Sequence, residues 1–208
     1  MRSSNILFGA LLILGVAFLG AYYCYQLQPD PSATTPVVAG DVEGPIMDIE
    51  VSGEANGHIR IKLFADVAPQ HVERLTELVE AGAYDNVVFH RVIDGFMAQT
   101  GDVQFGKADG DISRAGQGAS DSPDLPAEFS SLPFDRGMVG MARSASPNSA
   151  NSQFFIMFAP APHLNGKYTV VGQVIEGLDV LDAIKRGTGG NGEVSGDPDV
   201  MSSVKIVE

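Results

Sequence analysis

Two stretches of the 208-residue chain concentrate side chains able to do chemistry. Phe89 to Asp102 reads FHRVIDGFMAQTGD, and Gly137 to Phe158 reads GMVGMARSASPNSANSQFFIMF. In the first, Arg91 is a permanent cation whose planar guanidinium offers several donors. Taken by itself, such a residue is most often half of a surface ion pair. His90 stands beside it, but strand alternation sends it to the opposite face, and it is read as structural. The run Ser144 to Ser152 in the second stretch prompts a serine-hydrolase reading, yet no Gly-x-Ser-x-Gly elbow or partnered acid accompanies it. His58, His71, His90 and His163 are scattered and join no Cys or acidic cluster at metal-ligand spacing. Neither a metal nor a cofactor is expected.

These residues must be carried by a folded body, and composition says which kind. The formal net charge is −13. That balance argues against nucleic acid, whose phosphates demand clustered Lys and Arg. It also argues against docking of the folded domain on anionic lipid. Most of the acids are read as a solvated surface. Cys24 is the only cysteine, so no intramolecular disulfide can form.

Ile6 to Tyr25, ILFGALLILGVAFLGAYYCY, carries no charge. About twenty helical residues span roughly 30 Å, the thickness of a bilayer core. Arg2 precedes the run and Asp30, Asp41 and Glu43 follow it, so the start is expected in the cytoplasm and the remainder translocated. The segment is therefore read as an anchor over residues 1–25. A cleaved signal peptide is the rival, and it would leave a secreted protein. Residues 26–45 carry Pro29, Pro31, Pro36 and Pro45 among Ser, Thr, Ala and Asp, the composition of a semi-rigid spacer.

The folded domain is expected over residues 46–208. Met47–Val51 and Ile59–Leu63 alternate apolar and polar residues, with Asn56-Gly57 between them as a hairpin turn signal. Pro69 to Ala81 predicts a helix, with Val72, Leu75, Leu78 and Val79 on one face and Gly82 as its stop. Val87–Val92, Gly95–Gln99, Phe154–Phe158, Tyr168–Val174 and Val204–Ile206 read as strands, and Leu178–Lys185 as a second helix. Many short strands with two helices suggest a closed antiparallel barrel. Asp102 to Glu128, with Gly106, Gly110, Gly116 and Gly118, reads as a long irregular excursion of a functional kind.

The segments Phe89–Asp102, Gly137–Phe158 and HLNGKYTVVGQVIEGLDVLDAIK (His163 to Lys185) together resemble the signature segments of the cyclophilins, especially the bacterial branch. The resemblance runs from about Ile46 to the C-terminus. It implies an all-β-dominated fold, a closed eight-stranded antiparallel barrel capped by two helices, here preceded by the N-terminal transmembrane or signal helix. It also implies a peptidyl-prolyl cis–trans isomerase acting on proline-containing polypeptides.

That reaction makes and breaks no covalent σ-bond. Rotation about the imide costs about 18–20 kcal/mol because resonance is lost. The twisted imide nitrogen is pyramidal and more basic, so a fixed cationic donor stabilises it, and an apolar pocket disfavours the more polar planar state. The resemblance makes Arg91 the catalytic donor and Gln99 the residue that orients it. Phe96, Met97, Phe155 and Leu164 match the proline-pocket walls, and Ala142 and Gln153 match the groove lining. His163 stands where many eukaryotic members have a tryptophan, Arg143 where they have asparagine, and Tyr168 where they have histidine. These three are expected to shape substrate and inhibitor preference. The protein is expected to act as a monomer on exported chains, anchored in the inner membrane with its catalytic domain in the periplasm or otherwise outside the cytoplasm. A membrane-tethered peptide-binding chaperone with incidental isomerase activity is the alternative.

Overall fold

The computed structural model describes residues 44–207. Strands β1 (Ile46–Ser52) and β2 (Gly57–Leu63) open the domain and pair antiparallel. Val51 opposes Gly57, so the connection is a wider loop with Asn56 Nδ2 donating to the Gly53 carbonyl, not a two-residue turn on Asn56-Gly57. Helix α1 (Pro69–Glu80) follows. Its stop is a Schellman motif: Gly82, at φ 66°, donates to Val79 O and Ala83 donates to Leu78 O. Then come β3 (Val87–Val88), β4 (Arg91–Ile93), β5 (Met97–Thr100), β6 (Met138–Met141), β7 (Phe154–Met157), β8 (Val170–Glu176), α2 (Leu178–Ala183) and β9 (Val200–Val207).

The nine strands form one antiparallel sheet in the order β3-β9-β1-β2-β8-β6-β7-β5-β4. This corrects the closed eight-stranded barrel. The sheet curls into an open half-barrel, because its edges β3 and β4 are not paired with each other. The expected strand Val87–Val92 breaks at Phe89-His90, and each half is taken up by a loop instead. Val88 N donates to Gly106 O, while Val92 donates to Gly192 O and accepts from Gly187 N. With both edges satisfied by irregular backbone, no unpaired ladder remains to drive closure. The two expected helices are present. The apolar run Ile6–Tyr25 and Cys24 lie outside the described residues, and among those described no helix is long and apolar enough to cross a membrane.

Strand alternation divides the apolar residues into two cores. The concave side holds Ile49, Ile61, Val92, Ala98, Val139, Phe154 and Ile156, covered by Val72, Leu75 and Val79 of α1 and Leu181 of α2. The other side of β5, β6 and β7 carries a second cluster of Met97, Met138, Phe155 and Met157, packed with Phe64, Phe134 and Leu164. The second cluster is the floor on which the candidate site is built.

Candidate active site

Register brings the site together. Arg91 on β4 lies opposite Gln99 on β5, and Gln99 lies opposite Phe155 on β7. Directly opposed residues share a face of the sheet, so three residues distant in sequence form one row. Phe155 lies opposite Gly140 on β6. A Cβ there would come within 2.6 Å of both the Phe134 and Phe155 rings, so only glycine admits their stack, with centroids 5.7 Å apart.

Above this row is a hollow of about 160 Å³. Phe96, Met97, Phe155 and Leu164 supply apolar wall, and Arg91 and Gln99 supply its polar side. Ala142, Arg143 and Tyr168 complete the rim. Tyr168 meets Phe155 edge-on at 5.8 Å. Two of the expected residues stand outside this hollow. His163 is exposed and stacks on Phe96, with ring centroids 5.6 Å apart. Gln153 lines a second, adjoining hollow that shares Gln99, Ala142 and Arg143 with the first.

The guanidinium of Arg91 is held on two sides. Nη1 donates to Gln99 Oε1 at 3.0 Å. Nε donates to the Asn191 carbonyl at 3.0 Å and Nη2 to Asn191 Oδ1 at 3.1 Å. Of its five N–H groups, one on Nη2 stays unused, and one on Nη1 faces only Met97 Sδ at 3.8 Å. Partial burial lowers the pKa of Arg91 and Tyr168 opposes that shift, but a guanidinium stays charged throughout the physiological range. Asn191 was not among the sequence candidates. The available signal was the glycine density of Gly187, Gly189, Gly190 and Gly192, which resembles that of the 102–128 excursion.

From Gln99 the bonds continue outward. Gln99 Nε2 donates to Gln153 Oε1 at 2.9 Å, and Gln153 Nε2 to Gly118 O at 2.8 Å. Each amide accepts from one neighbour and donates to the next, which fixes both orientations. Gly118 N in turn donates to the buried carboxylate of Asp102 at 2.8 Å, which also accepts from the N–H groups of Gln104, Phe105 and Gly116. The excursion is thus gathered around one carboxylate and joined to Arg91 by two amides. His90 lies on the far side, against Gly116. It is buried, neither ring nitrogen has a well-formed hydrogen bond among the described residues, and desolvation holds its pKa down at about 4 despite nearby Asp102, Val88 and Gln153.

The arrangement offers a preorganised cationic donor at the edge of an apolar pocket, with no activated nucleophile beside it. Among the described residues no cluster of His, Cys, Asp and Glu is placed to hold a metal. Residues 46–208 match the family model described as Cyclophilin type peptidyl-prolyl cis-trans isomerase/CLD. A Brucella suis protein named "Probable peptidyl-prolyl cis-trans isomerase" is 57% identical over 153 residues, covering 73% of this chain and 78% of that one. An Arabidopsis thaliana peptidyl-prolyl cis-trans isomerase is 40% identical over 137 residues, covering 66% of this chain and 82% of its own. Among solved structures, a Cryptosporidium parvum cyclophilin type isomerase crystallised in the presence of the dipeptide Ala-Pro superposes with a TM-score of 0.66. It is 26% identical and covers 78% of this chain and 99% of that one.

Proposed function

The chain belongs to the cyclophilin-type peptidyl-prolyl cis–trans isomerases, and from that premise we propose how this site performs the reaction and where it does so. The observation that carries the mechanism is the doubly held Arg91 guanidinium beside a hollow walled by Phe96, Met97, Phe155 and Leu164. The proline ring enters the hollow. The imide twists, its nitrogen gains a lone pair, and a free N–H of Arg91 donates to it. Gln99 and Asn191 hold the donor in place before the substrate arrives, so little reorganisation accompanies the twist. One such donor contributes roughly 3–4 kcal/mol of the barrier reduction. Apolar contact with the ring and binding of the flanking backbone in a twisted geometry supply the remainder. Ala142 and Gln153 line the path of the flanking chain.

The site of action is outside the cytoplasm. The uncharged run Ile6 to Tyr25 behind Arg2, with Pro-rich residues 26–45 after it, supports a membrane-anchored isomerase that works on exported proline-containing chains in the periplasm. The reading is tested by fractionating cells that make the full chain, sequencing the N-terminus of the mature protein and assaying proline-peptide isomerisation in each fraction. Activity in the membrane fraction on an uncleaved chain is expected. Activity confined to the cytosol would overturn the export assignment, and no activity in any fraction would overturn the mechanism.

A further inference from the structure

Four of the seven described arginines, Arg60, Arg74, Arg136 and Arg186, pair with carboxylates. That is the ordinary outcome in a chain with 26 acids and 13 Lys and Arg. Two of the remaining three line the peptide groove. Arg91 is one, and its role is set out above. Arg143 is the other, at the saddle shared by the two hollows.

Arg143 is held and, among the described residues, held only by neutral groups. Its guanidinium lies 4.4 Å over the Tyr168 ring. Nε and Nη2 donate to the Lys167 carbonyl at 3.2 and 2.9 Å. Nη1 donates to the Ser144 and Ala145 carbonyls at 2.9 and 3.3 Å. Among the described residues one N–H on Nη2 is left over, and no carboxylate pairs with the charge. A fork fixed in this way loses little side-chain freedom on meeting an anion. The one carboxylate lining the second hollow, Asp124, already accepts from Asn151 Nδ2 at 3.1 Å.

The two hollows adjoin, sharing Gln99, Ala142 and Arg143, so a chain whose proline occupies the first hollow meets Arg143 within its next residues, each of which extends it by about 3.3–3.6 Å. We propose that Arg143 makes this groove select proline segments bearing a carboxylate side chain, Asp or Glu, within two positions of the proline. The selection rests on the isomerase reading above. The acidic remainder of the molecule does not cancel it, because at physiological salt charges beyond about 8 Å are largely screened and the contact at the saddle is not. A partly exposed ion pair of this kind is worth about a twofold to fivefold difference in kcat/KM.

The test is kcat/KM, measured by protease-free NMR exchange, for proline peptides identical except for Glu, Gln or Lys at each of the two positions on either side. Wild-type protein is expected to prefer Glu over Gln about threefold and Glu over Lys about tenfold at one of these positions, with both ratios compressed in 0.5 M NaCl. Arg143→Gln should bring the ratios to about one, and Arg143→Lys should keep part of them. Equal turnover of all peptides by the wild type would overturn the selection alone. So would ratios that survive Arg143→Gln. Absence of turnover on every peptide would overturn the selection together with the isomerase reading.

Discussion

Arg91 borders the apolar hollow between two supports of different origin. Gln99 comes from the neighbouring strand and was readable in the sequence as part of a motif. Asn191 comes from a loop a hundred residues away in the chain, and its contact depends on backbone that only the folded edge of β4 organises. Asn191→Ala keeps the carbonyl bond to Nε but removes the one to Nη2. A hydrogen bond to a charged, half-exposed group contributes about 1 kcal/mol, so kcat is expected to fall about fivefold with KM nearly unchanged. A loss confined to KM would mean that Asn191 contacts substrate and does not position the arginine. Phe96, Met97, Phe155 and Leu164 could each have been plain core, and all but Phe96 are in fact buried; only register and the second cluster show that they also form a wall.

At the scale of elements, α1 depends on a residue from outside itself. Its N-cap is Ala68, which has no side-chain oxygen to offer. The role passes to Glu128 at the end of the excursion, whose carboxylate accepts from the N–H groups of Gln70 and His71 and from His71 Nδ1 at 2.6 Å. Burial alone would raise the pKa of Glu128, but the hydrogen bonds from His71 and Gln70 outweigh it and hold it below the usual range. Its contribution is therefore complete above the ordinary glutamate pKa and is lost as pH falls through the lower folded value. Glu128→Ala is expected to cost about 2 kcal/mol at pH 7 and to lower Tm by about 4–8 °C. An unchanged thermal midpoint would contradict this cap. Helix α1 itself was legible from periodicity and from Pro69 and Gly82. Strand β6 was not: its four residues include Gly140, a weak strand former whose place is explained only by the two rings it admits. The break at Phe89-His90 was equally hidden, since Val87 to Val92 is locally good strand sequence and only the loops at 106 and 187–192 decide that it splits.

Across the whole molecule, the edges that sequence periodicity joined into a closed barrel are separate, because periodicity gives strands and faces but not which edge pairs with which. His90 sits at that parting of β3 and β4, uncharged and buried. Its folded pKa of about 4 is below the unfolded value of about 6.5. The unfolded chain therefore takes up the proton first as pH falls. Stability from this group is complete above about pH 6.5 and is lost progressively down to about pH 4, by at most about 3 kcal/mol. Urea melts between pH 7 and 5 should show this loss before most carboxylates titrate, and His90→Asn should flatten the slope. A wild-type curve already flat over that interval would contradict the buried neutral imidazole. Isomerase activity of the folded protein should not follow the same curve, since the proposed donor is a guanidinium.

The role proposed for Arg91 is to supply the transition-state donor, while the pocket and sheet stand without it. Its most direct test is kcat/KM of Arg91→Ala on a proline tetrapeptide, measured by NMR exchange beside a urea melt of the same variant. The expected result is a loss of about 10²- to 10³-fold with a stability change under about 1 kcal/mol, since Arg91 makes no ion pair among the described residues. A folded Arg91→Ala protein retaining the wild-type rate would remove Arg91 from the donor role.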